Sequence, residues 1–199
     1  MVNCARLLMI AIAVLSLAVA LGADQSSVKL NVGDKVPSFS AKDADGNNWS
    51  SADHVGKNFI VLYFYPAAMT GGCTKQACSY RDDLSQLRQA GAEVVGVSGD
   101  EVENLKAFRQ VENLNFTLLA DPDGGIAKKF GVPVREGGSI NKTIDGQDKT
   151  FKRGVTESRW TFIIDKNGKI AYVNPQVDAP NDSKAVMAAL TQLKKEEED

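Results

Sequence analysis

The sequence predicts an α/β protein in which a mixed central β-sheet carries helices on both faces. Three observations lead to this prediction. An unbroken apolar run at residues 59–64 is typical of a strand that is buried on both sides. A helical pattern follows this run, and strand and helix patterns then alternate along the chain. Near the C terminus, Asn167-Gly168 separates two strand patterns and indicates a closing hairpin.

Each element is predicted from its apolar spacing and from the turn residues that bound it. An early hairpin at 35–50 turns at Asp45-Gly46. The first helix places Leu84 and Leu87 on its inward face and ends at Gly91. The predicted strands after the hairpin are 58–65, 93–98, 117–120, 159–165 and 170–173, and the predicted helices are 73–90, about 101–111, 126–130 and 182–195.

Two helix starts and one loop are predicted from polar residues. Asp100 is predicted to cap the helix that ends near Val111, and Asp182 or Ser183 is predicted to cap the last helix. The segment 135–158 is polar and rich in glycine and shows no clear periodicity. We predict that it is an inserted loop near one end of the sheet.

The overall composition excludes one class of function. The chain has 199 residues and a net charge of -2, with lysine and arginine scattered along it. Nucleic-acid-binding domains carry a basic patch or stripe, which this sequence lacks. The length suits one well-packed domain, and nucleic acid is not an expected partner.

The N-terminal segment has the layout of a secretory signal peptide. Arg6 is its one charged residue, residues 7–21 are almost wholly apolar, and small residues follow. Fifteen helical residues span about 22 Å, which is short of the ~30 Å hydrocarbon core, so an uncleaved anchor is the weaker alternative. We expect export to the periplasm or secretion, with a plastid lumen as a further compartment, and no stable membrane association after cleavage. The expected divisions are a signal peptide at 1–22, a linker at 23–33, a domain at 34–195 and a charged tail at 196–199.

Two cysteines remain once Cys4 leaves with the signal peptide. Cys73 lies at a strand-to-helix turn, where helix-end amides and the macrodipole favour negative charge and therefore the reactive thiolate. Cys78 follows five positions later. In an exported protein such a pair can form a structural disulfide. On a regular helix, however, their Cα atoms would lie about 8.6 Å apart, beyond the ~7 Å limit for a bridge.

Four segments of the sequence resemble the peroxiredoxin family. Pro66, Thr70 and Cys73 fit its Pro-x-x-x-Thr-x-x-Cys signature, and the spacing of Cys78 resembles the peroxiredoxin Q (bacterioferritin comigratory protein) branch. Residues 32–39 look like the opening of the domain, and 159–165 looks like the strand with the active-site arginine. The resemblance covers about residues 29–195 and implies a thioredoxin-like fold and thiol-based reduction of hydroperoxides. We expect no cofactor and no metal, since two cysteines and one histidine do not supply the four ligands of a structural zinc site.

The resemblance also assigns roles to individual residues. Cys73 would attack the peroxide and become a sulfenic acid. Arg159 would hold developing negative charge with its guanidinium fork, and Thr70 would direct its hydroxyl and amide toward the sulfur or a peroxide oxygen. Pro66 would shape the pocket.

Cys78 would resolve the sulfenic acid after local unfolding, and a thioredoxin-like dithiol would reduce the product. If Cys78 is only a core residue, a one-cysteine cycle remains. The branch suggests a monomer or a weak homodimer.

Four positions depart from the branch. Gly71 stands where proline is usual, Ala67 and Ala68 replace a lysine and an aspartate, and Trp160 is bulkier than the usual residue. None of these changes removes a reacting atom. Gly71 adds conformational freedom to the loop before Cys73.

Two other functions are alternatives. A thioredoxin-like thiol-disulfide oxidoreductase would carry Cys-x-x-Cys at this turn, whereas four residues separate the cysteines here. An exported copper-binding chaperone would carry Cys-x-x-x-Cys and a downstream histidine, but no histidine follows His54.

Overall fold

A seven-stranded mixed sheet and a separate two-stranded ribbon form the fold. The computed structural model describes residues 29–198, so the predicted signal peptide lies outside the described residues. The strands are β1 Ser40–Asp43, β2 Asn48–Ser50, β3 Phe59–Phe64, β4 Ala92–Ser98, β5 Thr117–Ala120, β6 Val134–Ile144, β7 Gln147–Glu157, β8 Trp160–Ile164 and β9 Ile170–Asn174. The helices are α1 Gly71–Gln89, α2 Val102–Val111, α3 Gly125–Lys129 and α4 Asp182–Glu198.

The central sheet has the order β2-β1-β5-β4-β3-β8-β9. Strands β3, β4 and β5 run parallel, whereas β8 is antiparallel to β3 and to β9, and β1 is antiparallel to β5. The prediction of a mixed sheet is therefore confirmed. None of the helices in residues 29–198 has the length and apolar character needed to cross a membrane.

Strand β3 lies at the centre of the sheet, and all six of its residues are buried. Alternate side chains point to opposite faces of a strand, so β3 contributes to two cores. Val61 and Tyr63 pack in a cluster with side chains of α1, α2 and α4. Ile60, Leu62 and Phe64 pack in the other cluster, with α3 and the early hairpin. Helices thus cover both faces, and burial of each large apolar side chain contributes about 1.5–3 kcal/mol.

The element bounds agree closely with the sequence prediction. Strand β5 coincides with the predicted range, and α1 begins two residues earlier than predicted. Gly91 follows the helix with a φ of 76°, a left-handed conformation that ends helices. Helix α4 continues through the charged residues to Glu198.

The predicted loop at 135–158 is wrong, because β6 and β7 form a long antiparallel hairpin there. Asp145 and Gly146 form the turn with φ values of 52° and 75°, as a type I′ hairpin turn requires. Most side chains of the ribbon are exposed, so its sequence lacks the alternation that reveals a half-buried strand. Phe151 is an exception, because it is buried against the core.

The predicted capping roles of Asp100 and Asp182 are also wrong. Glu101 occupies the N-cap position of α2, and the Asp100 carboxylate instead accepts a hydrogen bond from the Ala68 amide at 2.7 Å. The Asp182 carboxylate accepts hydrogen bonds from three side chains, and Ser183 donates to Asp83 on α1 at 2.7 Å. Both aspartates are 1% exposed, so their oxygens serve groups inside the protein.

Candidate active site

Cys73 lies in the first turn of α1, next to the C-terminal end of β3. The chain leaves β3 through Tyr65 and Pro66 and enters the helix at Gly71. Met69 has a φ of 63°, a left-handed conformation that is uncommon for a residue with a side chain and marks a constrained loop. The bond from the Ala68 amide to Asp100 holds this loop in place. The loop thus directs the start of the helix, and with it Cys73, to this edge of the sheet.

The position in α1 places the Cys73 sulfur near unpaired backbone amides. The first four N–H groups of a helix have no partner within the helix, and the macrodipole adds partial positive charge at this end. The first helical bond runs from the Thr74 amide to the Thr70 carbonyl at 2.8 Å, so Cys73 precedes it. Negative charge on the sulfur is favoured at this position.

Arg159 lies between β7 and β8 and reaches the sulfur from the neighbouring strand. Its Nη2 donates to Cys73 Sγ at 3.3 Å, and its Nη1 donates to Gln76 Oε1. Both acceptors are on α1, one turn apart, so the planar guanidinium is held at two points. A fixed positive charge at this distance stabilises a negatively charged sulfur.

Thr70 and Pro66 also lie at this turn. Thr70 is the N-cap residue of α1, but its hydroxyl donates to the Ala67 carbonyl at 2.9 Å and not to Cys73. The predicted role of Thr70 toward the sulfur or a bound peroxide oxygen therefore stays a prediction. Its oxygen lone pairs remain able to accept a hydrogen bond from a bound molecule. Pro66 is half-buried directly beyond β3.

The Cys73 sulfur lies just beneath the surface. Cys73 is 1% exposed, but Gly71 and Gly72 beside it are exposed and Arg159 is partly exposed. The site is therefore shallow and suits a small reactant. A cleft of about 760 Å³ lies elsewhere, at the opposite end of β3 and β4, and is lined by none of the predicted site residues.

Cys78 lies on the same helix and is partly exposed. Its thiol donates to Glu112 Oε2 at 3.7 Å, where α2 ends. Burial raises the pKa of the Cys78 thiol, and the Glu112 carboxylate adds to this effect while Arg81 opposes it. Both cysteines are free and share one intact helix, so regular geometry puts their Cα atoms about 8.6 Å apart. A bridge between them requires the helix to unwind locally.

Sequence reasoning missed three polar residues that surround these side chains. Gln76 contacts Arg159, Asp182 contacts Gln76, and Asp100 anchors the loop before the helix. Gln76 carried a usable signal, because residues three apart on a helix share a face and Gln76 is three residues beyond Cys73. Asp182 is 106 residues from Gln76 along the chain, and nothing in the sequence indicated that the two side chains are in contact.

Residues 29–198 contain no group of three or more His, Cys, Asp or Glu side chains placed to hold a metal ion.

Comparison with known proteins gives a consistent result. The model of the AhpC/TSA family matches residues 32–173. Peroxiredoxin Bcp of Escherichia coli is 42% identical over 144 residues, which are 72% of this chain and 85% of that protein. A chloroplastic peroxiredoxin Q of Populus jackii is 41% identical over 145 residues, which are 73% of this chain and 60% of that protein.

Solved structures agree with the sequence relatives. Peroxidoxin BcpB from Mycobacterium tuberculosis superposes with a TM-score of 0.68 and 30% identity, over 82% of this chain and 97% of that chain. The bacterioferritin comigratory protein of Xanthomonas campestris, studied for its alkyl peroxide reduction, superposes with a TM-score of 0.63 and 25% identity, over 77% of this chain and 90% of that chain. These proteins have the thioredoxin-like fold, so the fold class predicted from the sequence is confirmed.

Proposed function

The chain belongs to the AhpC/TSA family and is a peroxiredoxin of the peroxiredoxin Q type, and we therefore propose that Cys73 is the thiol that attacks the peroxide. The protein is a thiol-dependent peroxidase, and neither alternative, the thiol-disulfide oxidoreductase or the copper-binding chaperone, is favoured. The observation that carries the assignment of Cys73 is the 3.3 Å contact between its sulfur and Arg159 Nη2.

The proposed first step is a displacement at oxygen. The Cys73 thiolate attacks the nearer oxygen of ROOH, a sulfur–oxygen bond forms, and the oxygen–oxygen bond breaks. The sulfur is oxidised to a sulfenic acid, and the leaving RO⁻ takes a proton to become ROH or water. Arg159 and the first-turn amides stabilise the negative charge that spreads along the S–O–O axis. Thr70 supports the peroxide by accepting a hydrogen bond from its O–H, because its own hydroxyl hydrogen is held by Ala67.

Cys78 is proposed to resolve the sulfenic acid. Its thiol attacks the Cys73 sulfur, a disulfide forms, and water leaves. The first turns of α1 unwind for this step, because the intact helix holds the two cysteines too far apart. A thioredoxin-like dithiol then reduces the disulfide by exchange and returns both thiols.

Peroxide consumption with a thioredoxin system tests these assignments. The Cys73→Ser variant should fall to the background rate, because an alcohol cannot replace the thiolate. The Cys78→Ser variant should keep one rapid turnover and then accumulate a Cys73 sulfenic acid. Mass spectrometry of peroxide-treated wild type should find a bridge between the two cysteines. Full turnover by Cys73→Ser would refute the role of Cys73, and a stable sulfenic acid in the wild type would refute the role of Cys78.

We further propose that the protein is exported and that its N-terminal segment is removed. Support comes from the single early charge at Arg6, the apolar run at 7–21 and the small residues after it. The mass of the protein recovered from its host should correspond to cleavage after Ala20, Gly22 or Ala23. An intact mass that includes Met1 would contradict this proposal. The exported protein is proposed to leave the membrane, and its recovery in the soluble fraction tests this point. It is also proposed to be a monomer or weak homodimer, and sedimentation of the soluble fraction tests its oligomeric state.

A further inference from the structure

A buried carboxylate from the last helix lies behind the active site. Asp182 is the first residue of α4 and is 1% exposed. Its Oδ2 accepts hydrogen bonds from three side chains, Gln76 Nε2 at 2.7 Å, Tyr80 hydroxyl at 2.6 Å and Thr161 Oγ1 at 2.7 Å. Two of these donors are on α1 and one is on β8. The carboxylate therefore joins α4 to the two elements that flank the reacting thiol.

Gln76 connects this carboxylate to the reacting thiol. Its Nε2 donates to Asp182, and its Oε1 accepts from Arg159 Nη1, while Arg159 Nη2 donates to Cys73 Sγ. A guanidinium can only donate hydrogen bonds, and an ionised carboxylate can only accept them. The two partners therefore allow one orientation of the Gln76 amide, with its oxygen toward Arg159.

We propose that Asp182 is a positioning residue for the peroxidase reaction, which fixes the Gln76 amide and through it holds the Arg159 guanidinium at the Cys73 sulfur. This inference rests on the proposed role of Cys73. Without Asp182 the amide can turn its NH₂ group toward Arg159, where two donors face each other, and the guanidinium then loses one of its two anchors.

The direction in which removal of Asp182 changes the ionisation of Cys73 distinguishes a positioning role from a through-space effect of its charge. A negative charge behind the site disfavours a thiolate through space, so its removal alone would make Cys73 ionise more readily. Loss of the Arg159 anchor has the opposite effect, because the positive charge beside the sulfur becomes mobile. A structural role confined to the packing of α4 predicts a change in stability with no change in the ionisation of Cys73.

The experiment measures the alkylation of Cys73 by iodoacetamide as a function of pH, with peptide mass spectrometry as the readout. For Asp182→Ala we expect the midpoint of the profile to rise by about one pH unit, the size of shift that a neighbouring charge produces. The single-turnover reaction with hydrogen peroxide, measured at a pH more than one unit below the wild-type midpoint, should slow about tenfold, because the thiolate fraction falls tenfold there. Asp182→Asn should show a smaller rise, because an amide oxygen still accepts some of the same bonds.

Two further variants complete the test. Ser183→Ala is the matched control, because Ser183 ties the same turn of α4 to Asp83 on α1 without contacting Gln76. It should leave the Cys73 midpoint unchanged. Gln76→Leu should raise the midpoint by itself, and Asp182→Ala should add nothing further in that background, because the two residues act in series.

An unchanged or lowered midpoint in Asp182→Ala would overturn the proposal, as would additive effects in the double variant. If circular dichroism shows that Asp182→Ala does not fold, Asp182→Asn decides the question by the same criterion. The midpoint is read on the Cys73 peptide and needs no peroxidase turnover. Failure of the proposed function would appear separately, as activity retained in Cys73→Ser.

Discussion

Arg159 contacts the sulfur with one arm of its guanidinium and the Gln76 amide with the other. Charge alone does not provide this arrangement, since a lysine ammonium is a point charge on a flexible chain and cannot span two fixed acceptors. The planar fork keeps the positive charge beside the sulfur, where the proposed reaction places a peroxide oxygen.

Replacement of the fork by a point charge should therefore slow the reaction. We expect Arg159→Lys to reduce the rate of peroxide reduction by about 100-fold, the lower end of the range for loss of one preorganised donor, because lysine keeps the positive charge. Stopped-flow measurement of a single turnover checks this. Arg153→Lys is the control, because Arg153 bonds Thr156 in the ribbon. A loss as large in the control as in Arg159→Lys would contradict the assignment.

A second residue with an unusual environment is Glu157, which is fully buried at the end of β7. Burial raises its pKa well above the ordinary value, and the neighbouring Asp121 carboxylate raises it further. Burial also raises the pKa of Asp121, but this carboxylate accepts the Ile126 and Ala127 amides at the start of α3 at 2.9 Å, which opposes the rise. Glu157 is therefore the member of the pair that stays protonated.

This protonation makes stability depend on pH. The unfolded chain releases the Glu157 proton above a pKa of about 4.3, while the folded protein retains it. The contribution of the protonated group to stability is complete below that pH and is lost as pH rises. Glu157→Gln, which mimics the protonated acid, should match the wild type at pH 4 and be more stable by about 1 kcal/mol or more at pH 7. Urea unfolding at both pH values checks this, and a stabilisation that is equal at pH 4 and pH 7 would contradict it.

At the residue scale, the sequence motif predicted Cys73, Cys78 and Arg159 as site residues, and the structure places the Arg159 guanidinium beside the Cys73 sulfur. The motif did not locate Asp100 or Asp182, which look like helix caps in the sequence. An aspartate before a helix pattern predicts a cap whenever its side chain is free to turn back on the backbone. In the folded protein both carboxylates are buried and accept hydrogen bonds from side-chain or loop donors, so neither turns back to cap its helix. These donors come together only when the chain folds.

At the scale of elements, α1 holds both cysteines, and the proposed bridge between them requires its first turns to unwind. Its first turn contains Gly71 and Gly72, and glycine stabilises a helix less than alanine does. A Cβ at Gly71 would meet nothing within 4 Å. Alanine would therefore fit at this position and would make the turn more stable. Glycine instead keeps the turn easy to unwind.

Gly71→Ala should strengthen this turn. We expect the free energy of unfolding to rise by about 0.5–1 kcal/mol and the formation of the disulfide to slow a few-fold, while the reaction of Cys73 with peroxide is unchanged. Quenched-flow trapping of free thiols after a peroxide pulse measures the bridging step. Ser85→Ala, on the exposed side of the middle of the same helix, is the control, because that turn need not unwind. Faster bridging in Gly71→Ala would contradict the requirement for unwinding.

The β6–β7 ribbon is attached to the domain by few apolar side chains, and Phe151 is 3% exposed among them. Truncation of a buried phenylalanine typically costs about 3–5 kcal/mol. We expect Phe151→Ala to lower the stability of the protein by an amount in this range, as measured by chemical denaturation. Lys149→Ala, an exposed position on the same strand, should change stability by no more than about 0.5 kcal/mol. A loss in Phe151→Ala as small as in the control would mean that the ribbon is held by other contacts.

The elements with strong apolar patterns were predictable, and the ribbon was not. Strand β3 is buried on both faces and α1 on one face, so the apolar pattern of each sequence indicates the type of element. The ribbon is largely exposed, so its sequence has no strand-like apolar pattern and indicates only the turn at Asp145-Gly146. That dipeptide was an available signal for a hairpin, and the glycine-rich, polar character of the segment obscured it.

At the scale of the whole molecule, the antiparallel pairing of β3 with β8 brings distant residues to one end of the sheet. Cys73 follows β3, Arg159 precedes the neighbouring β8, and Asp182 begins the helix that packs beside α1. The strand β8 is antiparallel to β3, so its start lies beside the end of β3. The mixed sheet predicted from the sequence thus explains why the thiol and the guanidinium meet, whereas the strand order itself could not be predicted from the sequence pattern.

The placement of both cysteines on one intact helix has a thermodynamic consequence for the oxidised enzyme. The proposed disulfide form would lack the helical structure that the dithiol form retains, so the free energy of that structure would add to the driving force for reduction. For a two-electron couple, about 1.4 kcal/mol of lost helix stability raises the reduction potential by about 30 mV. If the proposed bridge forms, the fold thereby makes it a stronger oxidant than an unstrained disulfide, and even a weakly reducing dithiol would regenerate the enzyme.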